Sequence, residues 1–582
     1  MLYDVYRVGK AICKTNNSDD KLLVPETPRN ITNVISLCFK RRGEEVIYTG
    51  IDITDYNVDM AHKYLLRTGS SRGTNHGPSA QLTEVDKTLK IKIAAWFKDL
   101  QSEKSDENDQ NLISQIYQLI SDNQKKMEDY INENMPKGKG IKNLLTVKVD
   151  GKFPADVELF YQCYSDKIRR KLIGEDNHKG TCCLCGKKSV YLLPKVDVFK
   201  FYTLDKPGFI SGGFQKEDIW RNCPVCISCE PILREGKKYM LENLGFNFYG
   251  LRYYLIPSST FNQDLQGILV DLLENISAKS FSFKEGAAKE IDSLSDDIFD
   301  ELAEYRDVNS FRIIFFFKKQ SAERILLDIK DIFPSRFREL YSAKYKIEEI
   351  YNSIIDEKFN FSYFREFLSK SDNKMNKNDL DNNFLSLTKD IFTGEKLSIE
   401  TLLPHYMRNI RHAFLNDEKF YATTLHAWIG VNYLYEIGCM DYRRENFMEG
   451  NLKEMLSPYS AGLDTDVKRA LVLTGVLVRK VMNIQAKELN GSTHFTSKLK
   501  GLKMRQSDVQ GLISETVNKM NEYNSYSKAS REIVTAISEF IFKSPTDWKL
   551  SIDEINFYIV GGMSLSKKIY DGLNVKPNEE EE

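Results

Sequence analysis

Three cysteines stand in the seven residues Cys223 to Cys229, within "RNCPVCISCE" (221–230), and three more stand upstream in "TCCLCGKK" (181–188). This window holds six of the chain's ten cysteines. Cys182 with Cys185, and Cys226 with Cys229, each form a C-x-x-C. Two intervening residues let two thiolates on one tight turn meet a single ion, and two such turns close a tetrahedral four-sulfur shell. A closed shell leaves no open position for substrate, so the predicted role is structural, with Zn2+ bound by Cys182, Cys185, Cys226 and Cys229. The stretch between the knuckles is longer than in a compact zinc ribbon, which predicts a small inserted module. Gly186 eases the turn after the first knuckle. Cys183 and Cys223 are spare thiols, and either could replace one of the four. The competing reading is a cluster of reduced, unliganded thiols. A catalytic zinc is not expected, because no H-x-E accompanies the cysteines.

The chain has 582 residues, enough for about three or four domains of ~150 residues each. Forty-one per cent of them are hydrophobic, so cores can form. With 82 Lys and Arg against 83 Asp and Glu, any nucleic-acid contact must come from local patches. The start carries no signal-peptide pattern, and the most apolar short run, "FRIIFFFKK" (311–319), is far below spanning length. A cytoplasmic protein with no membrane partner is expected. In that compartment clustered cysteines read as metal ligands rather than disulfides. Cys13, Cys38, Cys163 and Cys439 read as buried apolar residues.

Between the knuckles, "VFKFYT" alternates like a strand and "DKPGFISGGF" has turn chemistry. Lys200 and Lys206 lie among aromatic residues there, a mix that suits phosphate and base contact and equally a small aromatic core. Upstream, "RRGEEVIYTGIDI" (41–53) predicts a strand pair around Gly43 and Gly50. "YLLRTGSSRGTNHGPSAQLT" (64–83) is a loop carrying Arg67, Arg72 and His76, and it lacks the G-K-[ST] of a P-loop. The amphipathic helix "EVDKTLKIKIAAWFKDL" follows. Residues 101–140 read as a charged helix ended by "NMPKGKGIKNLL". "KIRRK" supplies Lys167, Arg169, Arg170 and Lys171 just before the first knuckle. After the second, a helix leads into the strand "FNFYGLRYYLIP", residues 265–304 read as helical, and 310–340 as a strand, a short helix and a new helix at Pro334. From about 395 the pattern is helical, with Lys498, Lys500, Lys503 and Arg505 grouped near a helix start.

No Walker A or H-E-x-x-H motif occurs. "PHYMRNIRHAF" (404–414) gathers His405, Arg408, Arg411 and His412 without a recognised ribonuclease spacing. The reading is therefore of a non-enzyme.

Several ordered blocks together resemble one family. They are "YRVGKAI" (6–12), the 64–83 loop, "TCCLCG" (181–186), "FKFYTLDKPGF" (199–209), "NCPVCISCEPILREGKKYM" (222–240), "FYGLRYYLIP" (248–257) and "DIFPSRFREL" (331–340). The chain resembles the large subunit of the type I-B CRISPR Cascade complex. The resemblance implies a non-catalytic scaffold that sits near the 5′ handle of the crRNA and reads a short PAM in target double-stranded DNA. It also implies that the protein holds the displaced strand of the R-loop and recruits a helicase-nuclease. Its implied partners include the backbone, handle-binding and small subunits. The four knuckle cysteines carry over as ligands. The C-terminal helices resemble the small subunit, with Met440, Met448 and Met455 as candidate internal starts.

The expected fold is a multidomain α+β chain: an N-terminal α+β domain (1–160), a zinc-knuckle module (161–240), an α+β continuation (241–395) and a C-terminal helical bundle (396–582, small-subunit-like over about 440–575). Two other functions stay open. One is a metal-dependent nuclease or nucleotidyl transferase using carboxylates such as Asp52 and Asp55. The other is a zinc-stabilised interaction scaffold unrelated to RNA.

Overall fold

The computed structural model describes residues 1–574 except 14–30, 68–73, 102–106, 139, 174–177, 197, 200–214, 250, 260–308, 320–321, 369–380, 417–418, 442–451, 453–455, 457–458, 460–461 and 492. The expected strand "VFKFYT" beyond Phe199, the "DKPGFISGGF" turns and the 265–304 helix fall outside the described residues. Two compact units emerge: Met1–Glu242 with Lys318–Glu323, and Asn243–Phe317 with Arg324–Glu582.

The first unit opens with helix α1 (Leu2–Ile12). Strands β1 (Asn33–Arg42), β2 (Glu45–Asp55), β3 (Ala80–Gln81) and β4 (Asn143–Val149) form a sheet of order β2-β1-β4-β3, with β1 parallel to β4. The period of two sorts the side chains to the two faces. Ile35, Leu37, Phe39, Leu145, Val147 and Val149 share one core with Trp96, Phe97 and Ile113. Val34 and Leu144 face the other way, onto Tyr64 and Leu66. Trp96 is fully buried, and its indole N–H donates to the His76 carbonyl at 2.9 Å.

Gly43 makes the β1–β2 turn in the left-handed region (φ +64°). Gly50 does not turn the chain. It lies inside β2, where a bulge shifts the register between Cys38 and Phe39. The "NLLTVKV" strand was hidden in the sequence, because it directly follows the Gly- and Lys-rich helix-ending stretch. Helix α2 (85–101) contains a π segment, Thr88–Ala94. The expected charged helix is two, α3 (Glu107–Asp122) and α4 (Gln124–Asn134), parted at Asn123. Helix α5 (Glu158–Ile173) ends this stretch.

The short strands β5 (Lys179–Gly180) and β6 (Val190–Tyr191) pair antiparallel around the first knuckle, and helix α6 (Glu230–Asn243) leaves the second. The second unit holds the sheet β10-β9-β8-β7, formed by β7 (Gly245–Phe248), β8 (Leu251–Ser259), β9 (Asn309–Lys319) and β10 (Ala322–Ile332). "FNFYGLRYYLIP" is thus two paired strands rather than one. "AERILLDIKDI" is strand β10 and not the expected short helix. Its apolar spacing fits either period, and the Arg312–Asp328 pair, with an Nε–Oδ1 distance of 2.6 Å, links β10 to β9. Pro334 opens α7 (Pro334–Tyr351) at its first turn, where its missing N–H costs nothing.

The remainder is helical, as expected from about 395 and also before it: α8 (Ser362–Arg365), α9 (Asp381–Thr393), α10 (Ile399–Leu415), α11 (Phe420–Glu436), α12 (Asp466–Glu488), α13 (Gln506–Glu522), α14 (Lys528–Lys543) and α15 (Ile552–Asn574). Helix α11 is buried nearly all round, with Trp428 at its centre. Helices α12 and α15 meet backbone to backbone. A Cβ on Gly475 would stand 1.9 Å from the Ile559 carbonyl oxygen, and one on Gly562 would stand 1.9 Å from that of Val472.

Candidate metal centre

Each knuckle is shaped by its own backbone bonds. In the first, Gly186 N–H donates to the Cys182 carbonyl at 2.9 Å and Cys182 N–H to Lys187 at 3.0 Å. Gly186 has φ +71°, a conformation that strains any residue with a Cβ. In the second, Cys229 N–H donates to the Cys226 carbonyl at 3.1 Å. Cys183 N–H to Pro224 (2.8 Å) and Leu193 N–H to Val225 (2.9 Å) hold the knuckles side by side. The chain then enters α6 directly, with Leu233 N–H bonded to the Cys229 carbonyl at 3.0 Å. Cys229 therefore sits at the positive end of that helix, which favours a thiolate.

The sulfurs of Cys182, Cys185, Cys226 and Cys229 all lie within 4.8 Å of one another. Cys182, Cys226 and Cys229 are buried and Cys185 is partly exposed. Four thiolates at about 2.3 Å from a tetrahedral ion have sulfur–sulfur edges of about 3.8 Å. The Cys185–Cys226 separation is 3.8 Å. The residues present therefore fit a tetrahedral four-sulfur ion, with the Cys226 N–H also pointing at the Cys182 sulfur (3.3 Å).

Hydrogen bonding from Cys226 and then Cys229 holds the Cys182 thiol well below the usual thiol range. The reciprocal bond to Cys182 pushes Cys226 up to about 12 and raises Cys229 as well. Without an ion these sulfurs share protons. A divalent cation replaces those protons and satisfies all four at once.

Spacing gave no sign of Tyr6, which lies 3.5 Å from the Cys229 sulfur. Burial, and then the neighbouring Cys229, push its phenol well above its ordinary range, so it stays a donor. Against a thiolate it gives an O–H···S bond from outside the ligand shell. Tyr6→Phe is expected to lower metal affinity by about 10- to 100-fold with little change in fold, as a competitive chelator titration would read. The same two helices touch through glycines. A Cβ on Gly9 would be 2.1 Å from the Ile232 carbonyl oxygen, and one on Gly236 would be 2.1 Å from that of Val5. Blocks "YRVGKAI" and "EGKKYM", far apart in sequence, thus form one contact beside the centre.

Several of the described basic residues singled out in the sequence have acidic partners of their own. Lys167 pairs with Asp99 at 3.1 Å. Arg67 closes the base of its loop, its carbonyl accepting from His76 N–H at 3.0 Å, and Arg170 is exposed on α5. Arg72, Lys200 and Lys206, and the side chains of Arg169 and Lys171, lie outside the described residues. Lys498 pairs with Glu515 (2.8 Å) and Lys500 with Asp508 (2.6 Å), which offsets much of that patch's charge. Lys503 and Arg505 remain exposed beside them.

Asp52 and Asp55 do not form a two-carboxylate site. Three positions apart on β2, they point to opposite faces. Asp52 is bound to Lys148 at 2.6 Å, while Asp55 lines an open cleft of about 690 Å³ with Tyr56, Tyr64 and Phe153. Arg411 is engaged by the Leu502 carbonyl (3.0 Å) and by Asp553 (2.5 Å), a structural role. No helix among the described residues is long and apolar enough to cross a membrane.

Comparison with known proteins gives one consistent result. Residues 1–165 match the N-terminal domain, 179–332 the central domain and 359–571 the C-terminal domain of CRISPR-associated protein TM1802 (cas_TM1802). No curated protein matches the chain. The three matches run in order along nearly the whole length, and the chain therefore belongs to the TM1802 family of CRISPR-associated proteins.

Proposed function

We propose that this protein is the non-catalytic large subunit of a type I-B CRISPR Cascade complex in the cytoplasm. In this reading it helps hold the crRNA 5′ handle, recognises the PAM in target duplex DNA, stabilises the R-loop and recruits the helicase-nuclease. The ordered three-domain match to one CRISPR-associated family is the observation that carries the reading. Base pairing with the guide would read the long sequence, and protein would read the short duplex motif.

Zn2+ is the ion the four thiolates suit best, and it would fasten the knuckles to each other and to α6. Four sulfurs fill its shell, which supports a structural role. Against the nuclease alternative stand the opposed faces of Asp52 and Asp55 and the tie of Asp52 to Lys148.

The test is reconstitution of the complex with and without this chain. Binding to a duplex carrying the cognate flanking motif is expected to fall at least about 100-fold when the chain is left out. Equal binding without the chain would overturn the reading, as would metal-dependent cleavage by the isolated protein. Within the complex, Lys503→Ala with Arg505→Ala is expected to flatten the salt dependence of single-strand binding by about 0.7 per lost phosphate contact. Lys498→Ala and Lys500→Ala should change it less, because each lysine is already paired with a carboxylate.

A further inference from the structure

Cys183 and Cys223 take no part in the four-sulfur cluster, yet their sulfurs are 3.9 Å apart. Cys183 is exposed and Cys223 is 9% exposed. They stand on different knuckles, and the Cys183 N–H···O=C Pro224 bond of 2.8 Å keeps the two backbones at strand-like spacing, where disulfides bridge neighbouring chains. Cys223 has φ −153° and ψ 84°, outside the helical region that the following Pro224 disfavours.

We propose that Cys183 and Cys223 form an oxidisable dithiol that staples the two knuckles together beside the metal centre without using any metal ligand. The oxidant is a small-molecule disulfide of the glutathione class. The exposed Cys183 thiolate attacks one of its sulfurs, the old S–S bond breaks, and one thiolate leaves. Cys223 then loses its proton and attacks the Cys183 sulfur of the mixed disulfide, expelling the second thiolate. Two cysteine thiols are oxidised to one disulfide, and the reagent is reduced to two thiols that carry the two protons. To close the bridge the sulfurs must move from 3.9 Å apart to about 2.05 Å. The bridge would span the same loop that the ion closes, so the two fasteners are redundant. The proposal is independent of any role in a guide-RNA complex.

The test treats the full-length, metal-loaded protein with oxidised glutathione, followed by intact mass, non-reducing peptide mapping and metal analysis. The expected product has lost two hydrogens, carries a 183–223 linkage and retains its metal. Removal of that metal by a chelator should slow by at least about tenfold, because the bridge keeps the knuckles together while the ion is off. Cys183→Ser should abolish both effects. Being exposed, this position leaves folding intact where Cys223→Ser could disturb it. Three outcomes would overturn the proposal: a stable glutathione adduct or free thiols with no internal linkage, a linkage through Cys182, Cys185, Cys226 or Cys229 with loss of metal, or a 183–223 linkage that leaves chelator release unchanged.

Discussion

Cys226→Ser is expected to reduce bound metal from one ion per chain to a small fraction, and to unfold the knuckles locally. Serine's hydroxyl is a poor substitute for a thiolate in a four-sulfur shell. Structural zinc supplies on the order of 10 kcal/mol or more to small metal-dependent folds, so losing one of four ligands should cost several kcal/mol. The damage should extend into α6, because that helix starts at the second knuckle and is held to α1 by Tyr6, Gly9 and Gly236. Hydrogen exchange should therefore rise over 179–196, 222–243 and 2–12. Cys183→Ser is the matched control and should keep its metal. Metal content and exchange unchanged in Cys226→Ser would exclude the four-sulfur centre.

A comparably large effect is expected from a single methyl group in the C-terminal helices. Gly475→Ala or Gly562→Ala places a Cβ 1.9 Å from a backbone carbonyl oxygen of the facing helix. Neither backbone can rotate away as a side chain would, so α12 and α15 must separate along their contact. Alanine gains about 1 kcal/mol over glycine in helix propensity, while overpacking of this kind costs about 3 kcal/mol or more. The clash wins, and each variant should unfold at lower denaturant than the parent. Gly511 tests the argument from the opposite side. It lies on the exposed face of α13 with nothing within 4 Å of its would-be Cβ. Gly511→Ala should be stabilising by about 0.5–1 kcal/mol. Equal responses at Gly475 and Gly511 in equilibrium unfolding would contradict the close helix contact.

The paired C-x-x-C was the most legible part of the chain because ligand spacing is a local constraint: two residues between thiols fix a turn wherever the rest of the chain goes. The C-terminal helices were legible for a similar reason, since an apolar face at helical period survives any tertiary arrangement. Tyr6, Gly9 and Gly236 were not legible as a unit, because their meaning comes from a contact more than 200 positions apart in sequence. The glycines of α12 and α15 carry meaning only once the two helices are seen to touch. Strands β4 and β10 failed for different reasons. The first does alternate over Leu145–Val149, but it directly follows the Gly- and Lys-rich helix-ending stretch and was read with it; the second is spaced ambiguously between the two periods. Charge was the least readable feature. Lys498 and Lys500 look like a free patch in one dimension, while Glu515 and Asp508 answer them in three.

Under the proposed function, this TM1802-family chain works inside a crRNA-guided complex. The most direct measurement is gentle purification of the tagged full-length protein from its native cell, with sequencing of bound RNA and identification of bound proteins. Short RNAs of uniform length sharing a constant 5′ end, together with a repeating backbone subunit, are expected if that function holds. Recovery of the intact, metal-loaded chain with neither RNA nor such partners would contradict it.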